Sequence, residues 1–319
     1  ATSSSTATIT INGTNDGPTI VSATNASNSL TENPSVAITG NINVSDVDVS
    51  NIVNAAITAN ANGGTYTGTF NGAALVALSS NPVINNSSTT GTLAWTFNNG
   101  AAEQFDFLAE GETLVLNYTV TLTDSAGATA TQNLQFTITG TNDGPVAVAD
   151  MGATTENAIV TIDVLANDTD VDLIDTHTLT NVSHANASIV NNELVFNPGT
   201  AFDYLALGET VDVVINYTME DNHGATSSST ATITITGTND GPVANADAVT
   251  ITENANATLN VLANDTDVDL LDTHTLTSVS HANASIVNNE LVFTTGTDFD
   301  YLAVGESVDV VINYTMQDN

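Results

Sequence analysis

The chain has 319 residues, of which 36 are Asp or Glu and none is Lys or Arg, for a formal net charge of −36. Without Lys or Arg it cannot neutralise nucleic-acid phosphates or insert at an anionic membrane surface, and it has no Lys or Arg ion pair of its own. Yet 41% of the residues are hydrophobic, too many for a disordered acidic tail, and a folded chain with this much like charge is relieved by dissolved cations. Cysteine is absent, so disulfides hold nothing together. No apolar run is long enough to span a membrane, and no secretory signal stands at Ala1. The first residue is not Met, which suggests a processed protein or a window cut from something longer.

The chain opens on ATSSSTATITINGTNDGP, and GTNDGP recurs at Gly140–Pro145 and Gly237–Pro242. Gly and Pro break strands, and Asn and Asp bond their own backbone in turns, so the string reads as punctuation between domains. It marks off blocks 19–145, 146–242 and 243–319, after a leading segment 1–18. Residues 146–222 align with 243–319 without a gap, at an offset of 97, with roughly four positions in five identical. Block 19–145 is a more distant relative. It shares a Phe-Asp-aromatic-Leu string (Phe105–Leu108, Phe202–Leu205, Phe299–Leu302), then Gly-Glu, then a strand ending in Asn-Tyr-Thr.

The elements read as strands from end to end. Trp95 sits in TLAWTF, which alternates like a core strand, with sugar stacking as the other reading. Leu114, Leu116, Tyr118, Val120 and Leu122 alternate with polar neighbours. A strand is expected over Ile159–Leu165. Val211, Val213, Ile215, Tyr217 and Met219 share one face of a strand, and Ala231, Ile233 and Ile235 alternate with threonines. Period two with Thr and Val enrichment predicts antiparallel strands with one face on a core. No segment has convincing helical periodicity. Short strands in blocks of about a hundred residues predict all-β, tandem antiparallel β-sandwich domains, Ig-like or cadherin-like, arranged as a linear rod. The last block stops where its final strand pair is half finished. Ala1–Pro18 matches the missing strand and linker, which leaves two completions: a window repeating along one long polypeptide, or subunits that donate a strand to the next.

The chemistry-bearing residues are acids. Asp168, Asp170, Asp172 and Asp175 lie in and after NDTDVD, and Asp265, Asp267, Asp269 and Asp272 repeat them. Asp46 and Asp48 in SDVDVS are a thinner version. Glu32, Glu156 and Glu253 sit in Thr-Glu-Asn strings early in each block. Asp124, Asp221 and Asp318 occupy the turn before the final strand. Asn15 and Asp16, Asn142 and Asp143, and Asn239 and Asp240 lie in the linkers, and Asp150 and Asp247 begin the next blocks. Alternating carboxylates can curl their oxygens around one hard cation. Ca²⁺, which takes six to eight oxygens, fits better than Mg²⁺, and ligands from two domains and their linker would pin the joint. His177 and His184, repeated as His274 and His281, lack the third ligand a zinc site needs and read as exposed strand histidines. No G-x-S-x-G or HExxH string is present, and nothing points to an enzyme.

TITGTNDGPVA, with SDVD early in the block and Gly-Glu before a strand ending YTVTLTD, resembles the VCBS repeat of large bacterial surface proteins. VLANDTDVD resembles bacterial cadherin-like and immunoglobulin-like repeats, and TNDGP is similar to the calcium-binding linker of cadherins. The resemblance covers essentially the whole chain. It implies calcium-stiffened extender domains in secreted adhesins and extracellular fibres, with Asp168, Asp170, Asp172, Asn239, Asp240 and their counterparts as ligands. The fewer acids of the first block imply a weaker or different site there. The expected partners are identical repeats or subunits joined head to tail. The alternative is a carbohydrate- or surface-binding adhesin module that meets host or cell-surface glycans.

Overall fold

A computed structural model describes residues 1–33, 36–72, 75–100 and 104–319. Among these residues there is no helix. The chain divides into two compact units. One comprises Ala1–Val146 with Thr169–His177 and Glu220–Ser227; the other comprises Ala147–Asp168, Thr178–Met219 and Ser228–Asn319.

The first block contains β1 (Thr19–Ala23), β2 (Ser27–Thr31), β3 (Ala37–Ser45), β4 (Asn54–Ala59), β5 (Gly63–Gly64), β6 (Val76–Leu78), β7 (Thr90–Asn98), β8 (Thr113–Thr123) and β9 (Thr129–Thr139). One sheet runs β1-β3-β7-β6, and the other runs β2-β9-β8-β4 with β5 on β8. The expected alternation holds along the whole of β8, whose Leu114, Leu116, Tyr118, Val120 and Leu122 are all buried while the threonines between them face outward. Between the sheets, Phe97 stacks on Phe136 with centroids 4.0 Å apart, and Trp95 meets Phe136 edge-on at 5.7 Å. Trp95 is 1% exposed, so it is a core residue and the sugar-stacking reading is withdrawn. Gly40 is what admits the indole: a Cβ there would lie 2.3 Å from Trp95 Cζ2.

The second block contains β10 (Asp150–Thr155), β11 (Val160–Ile162), β12 (His177–Val182), β13 (Ala187–Val190), β14 (Glu193–Phe196), β15 (Thr210–Asp221) and β16 (Thr226–Thr236). Its sheets are β10-β16-β15-β12 and β11-β14-β13. The strand expected over Ile159–Leu165 is cut short at Ile162. Asp163 ends it by accepting the Leu165 N–H on its side chain, and Val164 turns into the core.

Two ladders, β2 with β9 and β10 with β16, run parallel where antiparallel pairing was expected. The reason is topological. In each of these blocks an early strand and the last strand point the same way, so the chain enters the sheet at one end and leaves at the other.

The third block contains β17 (Ala257–Leu259), β18 (Thr275–Val279), β19 (Ala284–Val287), β20 (Glu290–Phe293) and β21 (Tyr314–Gln317). Its smaller sheet, β17-β20-β19, copies that of the second block, but the other is reduced to β18-β21. Residues 247–252 and 307–313, the counterparts of β10 and of most of β15, are not in strands. In the second block both segments lean on β16, and the position that corresponds to that strand in the third block lies past Asn319.

The three hydrophobic clusters share no residue. Phe136→Ala is therefore expected to lower the melting of the first block by about 3–5 kcal/mol, the usual cost of emptying a buried ring. Scanning calorimetry should show one transition shifted and the remainder unmoved.

Candidate metal centres

Each GTNDGP linker is held in one way. The linker Asn side-chain amide donates to the Asp of the turn before the last strand: Asn15 to Asp124 at 3.0 Å, Asn142 to Asp221 at 3.1 Å, Asn239 to Asp318 at 3.2 Å. The next residue's backbone N–H donates to the early-loop aspartate: Asp16 to Asp48 at 2.8 Å, Asp143 to Asp172 at 2.9 Å, Asp240 to Asp269 at 2.8 Å. The loop is preset by its own Asx turn, in which the N–H of Asp48, Asp172 or Asp269 donates to Asp46, Asp170 or Asp267 at 3.0, 3.0 and 3.1 Å. The first block thus has the same frame as the other two, although its loop is poorer in acids. Asn51, whose side-chain amide donates to Asn15 Oδ1 at 2.9 Å, takes the place that Asp175 and Asp272 hold in the other loops.

The start of the linker is fixed by the Gly-Glu string. Gly140 N–H donates to the Glu112 carbonyl at 2.8 Å, and Gly237 N–H to Glu209 at 2.8 Å. A Cβ on Gly140 would lie 2.1 Å from the Leu108 carbonyl oxygen, and one on Gly237 2.3 Å from that of Leu205, so neither position admits a side chain. Buried Glu32 and Glu156 then clasp the following threonine. The N–H of Thr141 donates to Glu32 Oε1 at 2.6 Å and that of Thr238 to Glu156 Oε1 at 2.6 Å, each joined by the threonine hydroxyl.

In the first unit these bonds gather Glu32, Asn142, Asp143, Asp170, Asp172, Asp175 and Asp221. In the second they gather Glu156, Asn239, Asp240, Asp267, Asp269, Asp272 and Asp318. Sequence reading missed Asp106 and Asp203, whose charges act on Glu32 and Asp143 and on Asp240 respectively. Their signal was the Phe-Asp-aromatic-Leu string, which served only as an alignment marker. It also missed that His177 and His274 lie 3.1 Å from Asp170 and Asp267, rather than standing free on a strand.

Not every candidate joins a linker. Asp150 and Asp168 face Tyr217, whose hydroxyl donates to the Val148 carbonyl at 2.7 Å and lies 3.3 Å from Asp168 Oδ1. Asp247 and Asp265 do the same around Tyr314. This pair belongs to the body of its block. Glu253 is half-buried and, among the described residues, accepts only from its neighbour Asn254, at 3.4 Å.

The decisive feature is what these oxygens lack. Among the described residues, eleven buried side-chain polar atoms have no hydrogen-bond partner. One is Trp95 Nε1. The other ten are oxygens of Glu32, Asp46, Asn142, Asp143, Asp150, Glu156, Asp172, Asp175, Asp269 and Asp272, every one a candidate ligand. Buried acceptors without donors are costly unless a cation meets them, and all-oxygen clusters of this kind suit Ca²⁺.

Burial is the first cause that pushes Asp172 up to about 6, against the Asp143 N–H and with the charges of Asp175, Asp170 and Asp143. Burial likewise raises Glu32, Asp143, Asp240 and Asp272. The Asn15 amide holds Asp124 below its usual range, with the N–H groups of its turn helping. Asp221 is pushed up by burial, but the Asn142 amide and the N–H groups of His223, Ala225 and Gly224 leave it lowered.

Comparison with known proteins places two stretches. Residues 142–237 match the bacterial cadherin-like domain, and residues 239–319 match the bacterial Ig domain. No protein of curated function matches the chain. Among solved structures, human CDH23 EC21-23 is similar at 13% identity and a TM-score of 0.49, over 89% of this chain and 92% of that one. Mouse Cadherin-23 EC22-24 is similar at 14% identity and a TM-score of 0.44, over 88% and 89%. Protocadherin Gamma B7 domains 1-4 give 14% and 0.41, over 87% and 67%.

The raised Asp172 sets a pH dependence for the metal-free protein. Between about pH 4 and 6 its folded form binds a proton that the unfolded chain has released, so stability falls as pH rises through that window. Asp124 and Asp221 have the opposite sign, but they act only below the ordinary carboxylate range near 4. In chelator, melting is expected at a higher temperature at pH 5 than at pH 7.5. With millimolar Ca²⁺ the order should invert, because protons then compete with the ion.

Proposed function

We propose that this chain, whose residues 142–237 and 239–319 belong to the bacterial cadherin-like and bacterial Ig families, is a calcium-stiffened repeat segment of an extracellular bacterial fibre or adhesin stalk. Its work is mechanical. Ca²⁺ held by Glu32, Asp143, Asp170 and Asp172, and by Glu156, Asp240, Asp267 and Asp269, offsets carboxylate repulsion and fixes each linker against the domain it enters. The observation that carries the reading is the set of buried linker-side oxygens, of Glu32, Asp46, Asn142, Asp143, Asp172, Glu156, Asp269 and Asp272, all acceptors and all without a hydrogen-bond partner among the described residues. A chain with no Lys or Arg also offers nothing to trypsin-like proteases, which suits life outside the cell.

A site that binds only the folded state adds about 2.7 kcal/mol of stability when free ion stands a hundredfold above Kd. Ca²⁺ is therefore expected to raise the melting temperature steeply. Asp143→Asn with Asp172→Asn should remove one linker's share of that rise while the other linker keeps its own. A melting curve indifferent to chelation would end the calcium reading.

The fibre reading adds head-to-tail continuity, within one long polypeptide or by strand donation between subunits. Ala1–Pro18 differs from Ala225–Pro242 only at Asn12, where the latter has Thr236. Ile233 and Ile235 on β16 are fully buried, whereas Ile9 and Ile11 are 85% and 89% exposed. Val310, Ile312, Tyr314 and Met316 are half-exposed where Val213, Ile215, Tyr217 and Met219 are buried. The register of β10 on β16 would carry over as Asp247 beside Ala7, Val249 beside Ile9 and Ile251 beside Ile11.

The fit concerns two segments, whichever polypeptide carries them. A synthetic peptide of residues 1–18 should bind the 319-residue chain and order 247–252 and 307–313 in hydrogen exchange. The same peptide with Ile9→Asp and Ile11→Asp should not. Equal protection from both peptides would refute the register.

A further inference from the structure

The three linker frames are alike in their hydrogen bonds but differ in one set of donors beside the turn aspartate. In the first block that corner holds Asp124 with Asn51 and Ser125, whose hydroxyl donates to the Asn51 side chain at 3.0 Å. In the third block it holds Asp267, Asp272 and Asp318, three carboxylates whose oxygens lie within 4.8 Å of one another. In the second block it holds Asp175, Asp221 and His223, with ligand atoms again within 4.8 Å of one another, and one of these atoms is an imidazole nitrogen.

We propose that Asp175, Asp221 and His223 form a site for a first-row transition divalent ion of the zinc class, distinct in kind from the all-oxygen calcium clusters. The proposal refines the linker reading at one corner, and it rests on that reading only for the character of the linker as a cation binder.

Three observations carry it. The first is the distance. His223 Nδ1 lies 3.1 Å from Asp175 Oδ2. Two donors bound at zinc-ligand lengths in a tetrahedron sit about 3.3 Å apart, so the pair is already at the span an ion would impose.

The second is the state of Asp175. Its side chain is 0% exposed, and its Oδ1 has no hydrogen-bond partner. A buried carboxylate in that condition needs a cation.

The third is the setting of the imidazole. Asn222 Oδ1 accepts the Thr176 N–H at 2.7 Å, which fixes the amide so that its Nδ2, a pure donor, stands 3.1 Å from His223 Nδ1. The same Nδ1 faces the Asp175 carboxylate, the stronger partner, so in the metal-free protein the imidazole carries its proton there, and a divalent ion would replace that proton between Nδ1 and Oδ2.

The third ligand is held in place beforehand. Asp221 Oδ1 accepts the N–H groups of His223 and Ala225 at 2.8 and 3.0 Å, and its Oδ2 accepts the Asn142 amide at 3.1 Å. The His223 side chain remains 27% exposed, which leaves a coordination position open to water. One imidazole with two carboxylates suits Zn²⁺, Co²⁺ or Ni²⁺, whereas Ca²⁺ takes oxygen.

The test is titration of the 319-residue chain with Zn²⁺ by calorimetry in saturating Ca²⁺, and with Co²⁺ by visible absorption. One Zn²⁺ per chain should bind in the presence of Ca²⁺. His223→Asn and Asp175→Asn should each weaken it at least tenfold and abolish the Co²⁺ ligand-field band, while His281→Asn should change neither. His223→Asn should keep the Ca²⁺-dependent melting shift, which certifies the fold. Zinc binding that His223→Asn leaves intact, or that Ca²⁺ displaces completely, overturns the proposal. Loss of the calcium effect with the zinc signal intact would instead overturn the calcium reading alone.

Discussion

A backbone N–H reaching a carboxylate is the interaction on which the linkers depend. In a chain without Lys or Arg, an aspartate oxygen can be met from within by an amide, a hydroxyl or one of five histidines. The linker uses this scarcity. Asp143 N–H takes Asp172 Oδ2 and Asp240 N–H takes Asp269 Oδ2, and in both cases the other oxygen of the accepting aspartate is left without a partner. One half of each carboxylate fixes the geometry and the other half is reserved. Because amides are spent on orientation and none on neutralisation, charge remains concentrated where the backbone is most constrained.

The glycines of the linker follow from the same constraint. Gly140 and Gly237 lie against backbone carbonyls at distances no side chain could tolerate. This tight seat delivers Thr141 and Thr238 to Glu32 and Glu156, and two residues later delivers Asp143 and Asp240 to the loop aspartates. The clasp and the loop contact are thus coupled through two or three residues of chain. An ion bound at the loop would act on the position of the linker directly, because the linker N–H is itself one of the hydrogen-bonding groups that shape the loop.

Much of this was legible beforehand, for identifiable reasons. Alternation along β8 and β16 is a period-two signal that any half-buried strand must give, and the recurrence of GTNDGP made the linkers visible as repeats. The ligand candidates were found by residue type, but their grouping was not. Asp168 and Asp170 are two apart, yet one faces Tyr217 in the block body and the other lies beside His177 near the linker. An Asx turn separates them, and nothing in the composition of NDTDVD announces it. Asp106 and Asp203 were passed over because a single acid in an aromatic string looks like an alignment marker until the chain folds it toward the linker. His223 was passed over because its partner Asp175 is 48 residues away.

The third block shows how much of a strand's identity is lent by its neighbour. Residues 307–313 match 210–216 closely in sequence, yet only the latter form part of a continuous strand. The difference is β16, which pairs with β10 on one side and lies beside β15 on the other. Local propensity is nearly the same in both copies, so it cannot account for the contrast; tertiary pairing does. The same argument applies to the ion clusters. The Asx turn presets a loop such as TDVDL, and the linker N–H then fixes one oxygen of its last aspartate, so the candidate site is complete only where the strand order brings the linker to the loop.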